Sequence, residues 1–459
     1  MEGHPVTTWS VKPTSGADEH ARVTGAARAV LAAAEATPEN RSLGNEWDFL
    51  SEADKRGYLT PSEDERVRSC YARYLATRAS LIDVVAALEP DCGNAADDWR
   101  LRRPAFAVTL AAAALLAQGS RRALALGKQS RLLRKKLDEP DHHRSVPAKT
   151  FARLYQAATT PHRLAKLFEA LVWFRENRAA FDSISEFPEF AKILAILDSD
   201  PAAGLSPRLL LRDRLRYRWF SFRRRNHSAW KKSVFELFRF SGSMIADLRQ
   251  PGVKPAAAKR VTPELSDAIL SLARPGDIFI TRHDDALSNL FLPGFWPHAA
   301  LFLGSEAQRS ESRILLDPVR DPARFLEAKK DGVLLRSADD TLAVDALVVL
   351  RPPLGLVEIA GALEQVLTHT GKLYDFVFDF RTSDRLACTE VIYRAYHDCG
   401  PLRFQLKEVS GRLCLPAEEL INQALDQGFE VVLASGIGSG GLLRGRRAEL
   451  AMHSSRAGI

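Results

Sequence analysis

The chain has 459 residues, of which 46% are hydrophobic and 26% are charged, a composition typical of a soluble protein with two or three globular domains. The five cysteines show no CxxC spacing, which argues against a disulfide framework and a zinc site, so neither a metal nor another cofactor is expected. The net charge of +7 is only a weak indication of an anionic partner.

The sequence shows no pattern of export or membrane insertion. The first ten residues lack the basic stretch followed by an apolar stretch that marks a secretory signal. The longest apolar run, from Ala105 to Ala117, is too short to span a bilayer and is rich in alanine. We therefore expect a cytoplasmic protein, with peripheral membrane contact as the alternative.

The pattern of apolar residues divides the chain into five segments. A disordered N-terminus is predicted for residues 1–17, and a helical domain of unknown role for residues 18–250. Proline and alanine mark a linker at 251–261. A domain that mixes strands and helices follows at 262–435, and the Gly-, Ser- and Arg-rich residues 436–459 are predicted to be a flexible tail.

Two polar segments of the helical half have more than one interpretation. Residues 208–232 combine ten arginines and lysines with five aromatic residues. A solvated helix face is favoured, contact with an anionic membrane is the functional alternative, and nucleic-acid binding is unlikely by comparison. Residues 138–144 contain two neighbouring histidines, for which a solvated turn is favoured over metal binding.

After the linker the pattern is that of an α+β domain. Strands are predicted at 277–281, 299–303, 314–319, 333–336, 346–351 and 429–433. Helices are predicted at 264–272, 355–370, 386–398 and 416–427.

Two residues of this domain have the chemistry of a nucleophile and a base. Cys388 stands at the start of a predicted helix, where the helix N-terminus and a nearby histidine lower the pKa of a thiol. His298 stands at the start of a predicted strand. A cysteine in such a helix is more often a small buried apolar residue, so the position alone does not establish catalysis. For Glu390, Cys399 and Cys414 we expect structural roles: a cap or surface salt bridge for the first and packing for the others.

Four motifs in order resemble one family. They are RPGDIFITR at 274–282, FLPGFWPHAALFLG at 291–304, GKLYDFVFDF at 371–380 and CTEVIYRAY at 388–396. Together they resemble the YiiX/YebB-like cysteine hydrolases, which are circularly permuted relatives of the NlpC-type, papain-like amidases. The resemblance covers residues 262–435 and implies a permuted papain-like fold, while the helical half resembles no family.

The resemblance implies four site residues. Cys388 matches the nucleophile, and His298 matches the general base, which precedes the cysteine in the permuted arrangement. Asp317 matches the acidic residue of the next strand, although the relatives usually carry Glu there. Tyr374 matches a tyrosine that helps to hold the oxyanion.

The leading hypothesis is therefore a cysteine-dependent hydrolase or acyltransferase. It would cleave an amide or ester through a thioester intermediate, with a lipid or an atypical peptide as the substrate. The alternative is a non-catalytic binding or scaffold protein in which the helical half is the working part. The expected partners are the amide or ester substrate and, through residues 208–232, an anionic membrane.

Overall fold

The computed structural model describes residues 16–36, 47–92, 99–199, 259–283, 294–317, 319–409, 411–437 and 441–456. The predicted disorder before residue 16, the basic and aromatic residues 208–232, and most of the predicted linker at 251–261 lie outside the described residues. The chain forms two compact units. The first comprises Met1–Ser51, Arg68–Leu137 and Lys149–Phe222, and the second comprises Glu52–Val67, Asp138–Ala148 and Arg223–Ile459.

The predicted domain boundaries thus differ from the compact units. Two segments of the helical half, Glu52–Val67 and Asp138–Ala148, group with the C-terminal residues. The histidine-containing residues 138–144 form part of the second of these segments and are mostly turn. A sequence pattern could not reveal this grouping, because both segments have ordinary helix and loop composition.

The N-terminal half is helical, as the periodicity predicted. Its helices are α1 (Gly16–Glu35), α2 (Phe49–Arg56), α3 (Pro61–Cys92), α4 (Trp99–Gln129), α5 (Arg131–Lys136), α6 (Thr150–Ala158), α7 (Pro161–Glu176) and α8 (Pro188–Asp198), with a 3₁₀ turn at Arg178–Ile184. The core of the first unit includes Val23, Ala27, Val30, Val108, Ala111, Ile193 and Leu194 from α1, α4 and α8. Within the described residues, none of the helices is both long and apolar enough to cross a membrane.

The C-terminal part mixes helices and strands, which confirms the predicted class. Its helices are α9 (Pro263–Leu272), α10 (Glu306–Glu311), α11 (Ala338–Leu342), α12 (Leu356–Leu367), α13 (Cys388–Tyr396), α14 (Ala417–Asp426) and α15 (Arg446–Arg456). Its strands are β1 (Ile278–Arg282), β2 (His298–Phe302), β3 (Ala323–Lys329), β4 (Gly332–Ser337), β5 (Ala346–Arg351), β6 (Leu373–Tyr374), β7 (Arg385–Leu386), β8 (Lys407–Val409), β9 (Arg412–Cys414), β10 (Glu430–Ser435) and β11 (Leu442–Arg444).

A seven-stranded antiparallel sheet carries the second unit, in the order β11-β10-β5-β1-β2-β3-β4. One face of the sheet packs against α12, α13 and α14 through buried apolar residues. The opposite face packs against α9 and α11 around Phe279, Phe302 and Phe325. Burial on both faces explains why these strands read as nearly continuous apolar runs.

The strand predicted at 314–319 is not present, and the neighbour of β2 is β3 instead. Leu301 and Phe302 of β2 pair with Leu326 and Phe325 of β3, respectively. Burial does alternate along this segment: Ile314 and Leu316 are buried, and Leu315 between them is 91% exposed. The pattern thus indicated an extended segment correctly, whereas pairing depends on which segment reaches the edge of β2.

The prediction of a flexible tail at 436–459 is also wrong. Strand β11 pairs with β10 through Ala434 and Leu443. Helix α15 follows and buries Ala448 and Met452 in the core of the second unit. Glycine and serine composition suggested flexibility, but the two buried apolar residues of α15, four apart on one helix face, give the helix a docking face.

Candidate active site

Cys388 is the first residue of α13 and is 2% exposed. The preceding residue, Ala387, has extended backbone angles of φ −83° and ψ 166°, so the helix begins abruptly at the cysteine. The Ala387 N–H donates to the carboxylate of Glu390, Oε2, over 3.4 Å. This contact confirms the capping role expected for Glu390 and fixes the direction in which the helix N-terminus points.

His298 is the first residue of β2, and its side chain is 19% exposed. Its Nε2 lies 2.7 Å from Oε1 of Glu327, which leaves Nδ1 available for the neighbouring thiol of Cys388. Extending the β2–β3 register by one pair places Glu327 opposite Ala300, on the same strand face as His298. The three polar residues therefore form a chain of thiol, imidazole and carboxylate.

The prediction that Asp317 orients His298 is wrong. The side chain of Asp317 is 87% exposed and contacts Arg320 at 3.3 Å, while Glu327 occupies the far nitrogen of the imidazole. Asp317 lies in the extended segment that was mistaken for the neighbouring strand. Sequence reasoning missed Glu327, although a glutamate among buried apolar residues, in FLEA at 325–328, was an available signal.

The carboxylate of Glu327 is buried and fully engaged. Its Oε2 accepts a hydrogen bond from the hydroxyl of Thr341 at 3.0 Å and lies 3.0 Å from Nζ of Lys329 and 3.5 Å from Nε of Arg336. Burial raises the pKa of Glu327, but the hydrogen bond and charge of His298 and the charge of Lys329 lower it to about 2. Glu327 is therefore ionised at neutral pH and held in one orientation.

The thiol and the imidazole shift each other's pKa in the direction of an ion pair. Burial lowers the pKa of His298, but the adjacent Cys388 and the hydrogen bonds with Cys388 and Glu327 raise it to about 10. Burial raises the pKa of Cys388, but His298 and the backbone N–H groups of Ala299 and Thr389 lower it below 9.0 overall. A thiolate beside an imidazolium is the reactive form of a catalytic cysteine.

The turn that leads into β2 is held by hydrogen bonds to a glutamate of α14. The backbone N–H groups of Phe295 and Trp296 both donate to Oε1 of Glu418, at 2.7 and 2.9 Å. Gly294 has φ +100°, and a Cβ there would stand 2.1 Å from the Glu418 side chain. A larger residue could not adopt this turn, which sets the position of His298 two residues after Trp296.

Tyr374 is brought to the same place by a short parallel pairing. Tyr374 of β6 faces Leu386 of β7, two residues before Cys388. Burial is the largest cause, and the adjacent Cys388 a further cause, of a Tyr374 pKa raised well above 10.0, so the phenol stays protonated and can donate a hydrogen bond. The carboxylate of neighbouring Asp375 accepts hydrogen bonds from the backbone N–H groups of Val377 and Asp379, at 2.9 and 2.7 Å, which fixes the loop after β6.

A buried ionic network lies one turn further along α13. Arg394 donates to Oε1 of Glu390 at 2.7 Å and to Oδ2 of Asp64 at 3.1 Å, and the three side chains are at most 3% exposed. Asp64 also accepts from the hydroxyl of Ser383 at 2.8 Å. Asp64 belongs to the segment Glu52–Val67 of the second unit, so this network ties a distant part of the sequence to the helix of Cys388.

The remaining chemically interesting residues do not join the site. Cys399 and Cys414 are free thiols whose pKa values are raised mainly by burial, in keeping with the packing role expected for them. Within the described residues, no group of three or more His, Cys, Asp or Glu side chains is arranged to hold a metal ion. In the structure Cys388, His298 and Tyr374 lie close together, and Glu327 rather than Asp317 contacts the imidazole.

Comparison with known proteins agrees with this arrangement. Residues 272–433 match the family described as permuted papain-like amidase enzymes, YaeF/YiiX, C92. Neither the curated proteins nor the solved structures gave a match. The match covers strands β1–β5 of the central sheet, among them the strands of His298 and Glu327, and the helix of Cys388, and it supports a YiiX-like permuted papain-like amidase family for residues 272–433.

Proposed function

We propose that the second unit is an amidase that uses Cys388 as its nucleophile and His298 as its general acid and base. The observation that carries the proposal is the 2.7 Å contact between the imidazole of His298 and the buried carboxylate of Glu327, with Cys388 beside the imidazole and pKa shifts that favour the charged pair. Such a triad is recognised by geometry and role rather than by the order of its residues in the chain.

The first half of the reaction forms a thioester. The Cys388 thiolate attacks the carbonyl carbon of the amide, a C–S bond forms, and the electron pair of the C=O bond moves to oxygen. The backbone N–H of Cys388, at a helix N-terminus, and the hydroxyl of Tyr374 would donate hydrogen bonds to this oxyanion. The C–N bond then breaks, and the proton on Nδ1 of His298 goes to the leaving nitrogen.

The second half regenerates the enzyme. Water attacks the thioester carbon while neutral His298 takes its proton, and the C–S bond breaks to release a carboxylic acid and the thiolate. Glu327 keeps Nδ1 directed at Cys388 throughout, because it holds Nε2. If an alcohol or amine replaced water, the same residues would carry out acyl transfer.

The proposal extends to the class of acyl group. We propose an amide substrate, peptide or N-acyl, in preference to an ester, because His298 as an imidazolium supplies the proton that a poor amine leaving group requires. The alternative substrate, which the sequence analysis also raised, carries a lipid acyl chain.

The test is turnover by the full-length protein on matched amides and esters that share one acyl group, for a peptide-like and for a fatty acyl series. We expect amide cleavage and an acyl-enzyme whose mass localises to Cys388. Cys388→Ala should abolish both, with a circular dichroism spectrum unchanged. Turnover that survives in Cys388→Ala would contradict the mechanism, and cleavage of esters alone would contradict the substrate class.

A further inference from the structure

The first unit contains a cavity of about 690 Å³ that plays no part in the chemistry of the second unit. Its walls are segments of α3, α4 and α5 together with Ala36, Trp47 and Leu137. The volume lies within the range of small-molecule sites in proteins. Leucines make up much of the lining: Leu81, Leu115, Leu116, Leu126, Leu133 and Leu137.

The charge of this cavity is of one sign. Arg73, Arg78 and Arg122 line it, and no Asp or Glu does so within the described part of the chain. Nη1 of Arg78 donates to the hydroxyl of Ser120 at 2.9 Å, and Ser120 is 3% exposed. Over the same described residues, Arg78 has no carboxylate partner, so a partly buried guanidinium is matched only by neutral groups.

A second polar group is also left without a partner. The indole Nε1 of Trp47, a lining residue, is buried and has no hydrogen-bond acceptor among the described residues. Buried indole N–H groups in proteins usually find an acceptor, because leaving one unpaired is unfavourable once water is excluded. A bound molecule with an oxygen acceptor would remove that cost.

We propose that this cavity binds a single-chain amphiphile with a carboxylate head group, of the fatty-acid type. The leucines would cover the hydrocarbon chain, and Arg78 would pair with the carboxylate, as guanidinium groups do in charge-assisted hydrogen bonds. The site lies within the first unit and does not depend on Cys388, so it goes beyond the amidase activity.

The test uses the full-length protein and three probes with the same chain length. Isothermal calorimetry should detect binding of dodecanoate below its micelle concentration, weaker binding of dodecanol, and none of dodecyltrimethylammonium. Arg78→Gln should weaken the binding of dodecanoate about tenfold or more, because the substitution removes the charged partner of the carboxylate. Binding should persist in Cys388→Ala, which separates this site from the catalytic one.

Two further variants make the test specific. Arg131→Gln removes an exposed arginine of α5 that does not line the cavity and should leave dodecanoate binding unchanged. Leu116→Trp should fill the cavity and abolish binding while the protein still melts cooperatively. Equal affinity for dodecanol, equal loss in Arg131→Gln, or binding only to phosphatidylglycerol vesicles would overturn the proposal.

Discussion

At the scale of single residues, the carboxylate that accompanies His298 decides how the site works. Glu327 is 1% exposed and contacts four polar side chains, including His298, whereas Asp317 is 87% exposed. A carboxylate orients an imidazole only when its own position is fixed, which burial and hydrogen bonds provide. The two residues form a matched pair of acids for a test.

We expect Glu327→Gln to lower kcat by roughly 10²–10⁴, because loss of the carboxylate allows the wrong tautomer of His298 and no longer stabilises its charged form. Asp317→Asn should change kcat by less than about twofold, within the range of surface substitutions. Steady-state kinetics on one amide substrate decide the matter. A large effect of Asp317→Asn with none of Glu327→Gln would return the role to Asp317.

The pKa of Cys388 gives a second test, with internal controls. Its pKa is lowered below 9.0, whereas burial is the main cause that raises the pKa values of Cys399 and Cys414. Since only the thiolate reacts, alkylation of Cys388 by iodoacetamide should reach half its maximal rate at a lower pH than that of the other two. Peptide mass spectrometry measures the three rates in one sample.

The same experiment reports on the histidine. Loss of the Glu327 charge makes the imidazolium of His298 less stable, so the alkylation profile of Cys388 should move to higher pH in Glu327→Gln. Equal profiles for Cys388 and Cys399 in the parent protein would mean that no ion pair forms.

At the scale of elements, helix α13 is held by more than its contact with the sheet. Its nine residues are all buried, and Arg394 joins Glu390 to Asp64 of the segment Glu52–Val67. Ser62 of the same segment donates to Asp398 just beyond the helix at 2.6 Å. Burial keeps the Glu390–Arg394–Asp64 charges out of water, so each depends on the others for compensation.

We expect Asp64→Ala to lower the free energy of unfolding by about 3–5 kcal/mol, because it leaves Arg394 buried with one carboxylate fewer. Glu52→Gln, which removes an exposed acid paired with Lys55 in the same segment, should leave the free energy of unfolding nearly unchanged. Urea unfolding measures both. Equally small changes in the two variants would mean that the charge of Arg394 is compensated without Asp64.

At the scale of the whole molecule, the second unit is assembled from separated parts of the chain. Cys388, His298 and Glu327 all lie after residue 260, yet Glu52–Val67 and Asp138–Ala148 group with them. The linker predicted at 251–261 remains a prediction, because most of that stretch lies outside the described residues. The grouping nevertheless changes what a separated C-terminal fragment should do.

We expect a fragment of residues 260–459 to be less stable than the full chain, because it retains Arg394 and Ser383 but lacks Asp64. Adding the peptide of residues 52–67 in excess should raise its melting temperature, while the same peptide with Asp64→Ala should not. Scanning calorimetry of the fragment with each peptide provides the measurement. A fragment as stable as the full chain would show that the N-terminal segments are dispensable.

The sequence by itself determined the local features of this protein. Periodicity placed α9, α12, α13, α14, β1, β2, β4, β5 and β10 close to their observed bounds, because their apolar residues face a core directly. The motifs around Cys388, His298 and Tyr374 indicated the type of family whose model matches residues 272–433. These signals depend on residues close together in the chain.

Only the tertiary structure decided which distant residues meet. Glu327, rather than Asp317, reaches His298 because β3 pairs with β2, and strand pairing depends on the path of the chain between them. Asp64 contacts Arg394, which lies 330 residues later in the sequence. Helix α15 packs on the second unit because Ala448 and Met452 are buried in its core. Periodicity records whether a residue is buried, but its partner is fixed by contacts between segments that carry no common local signal.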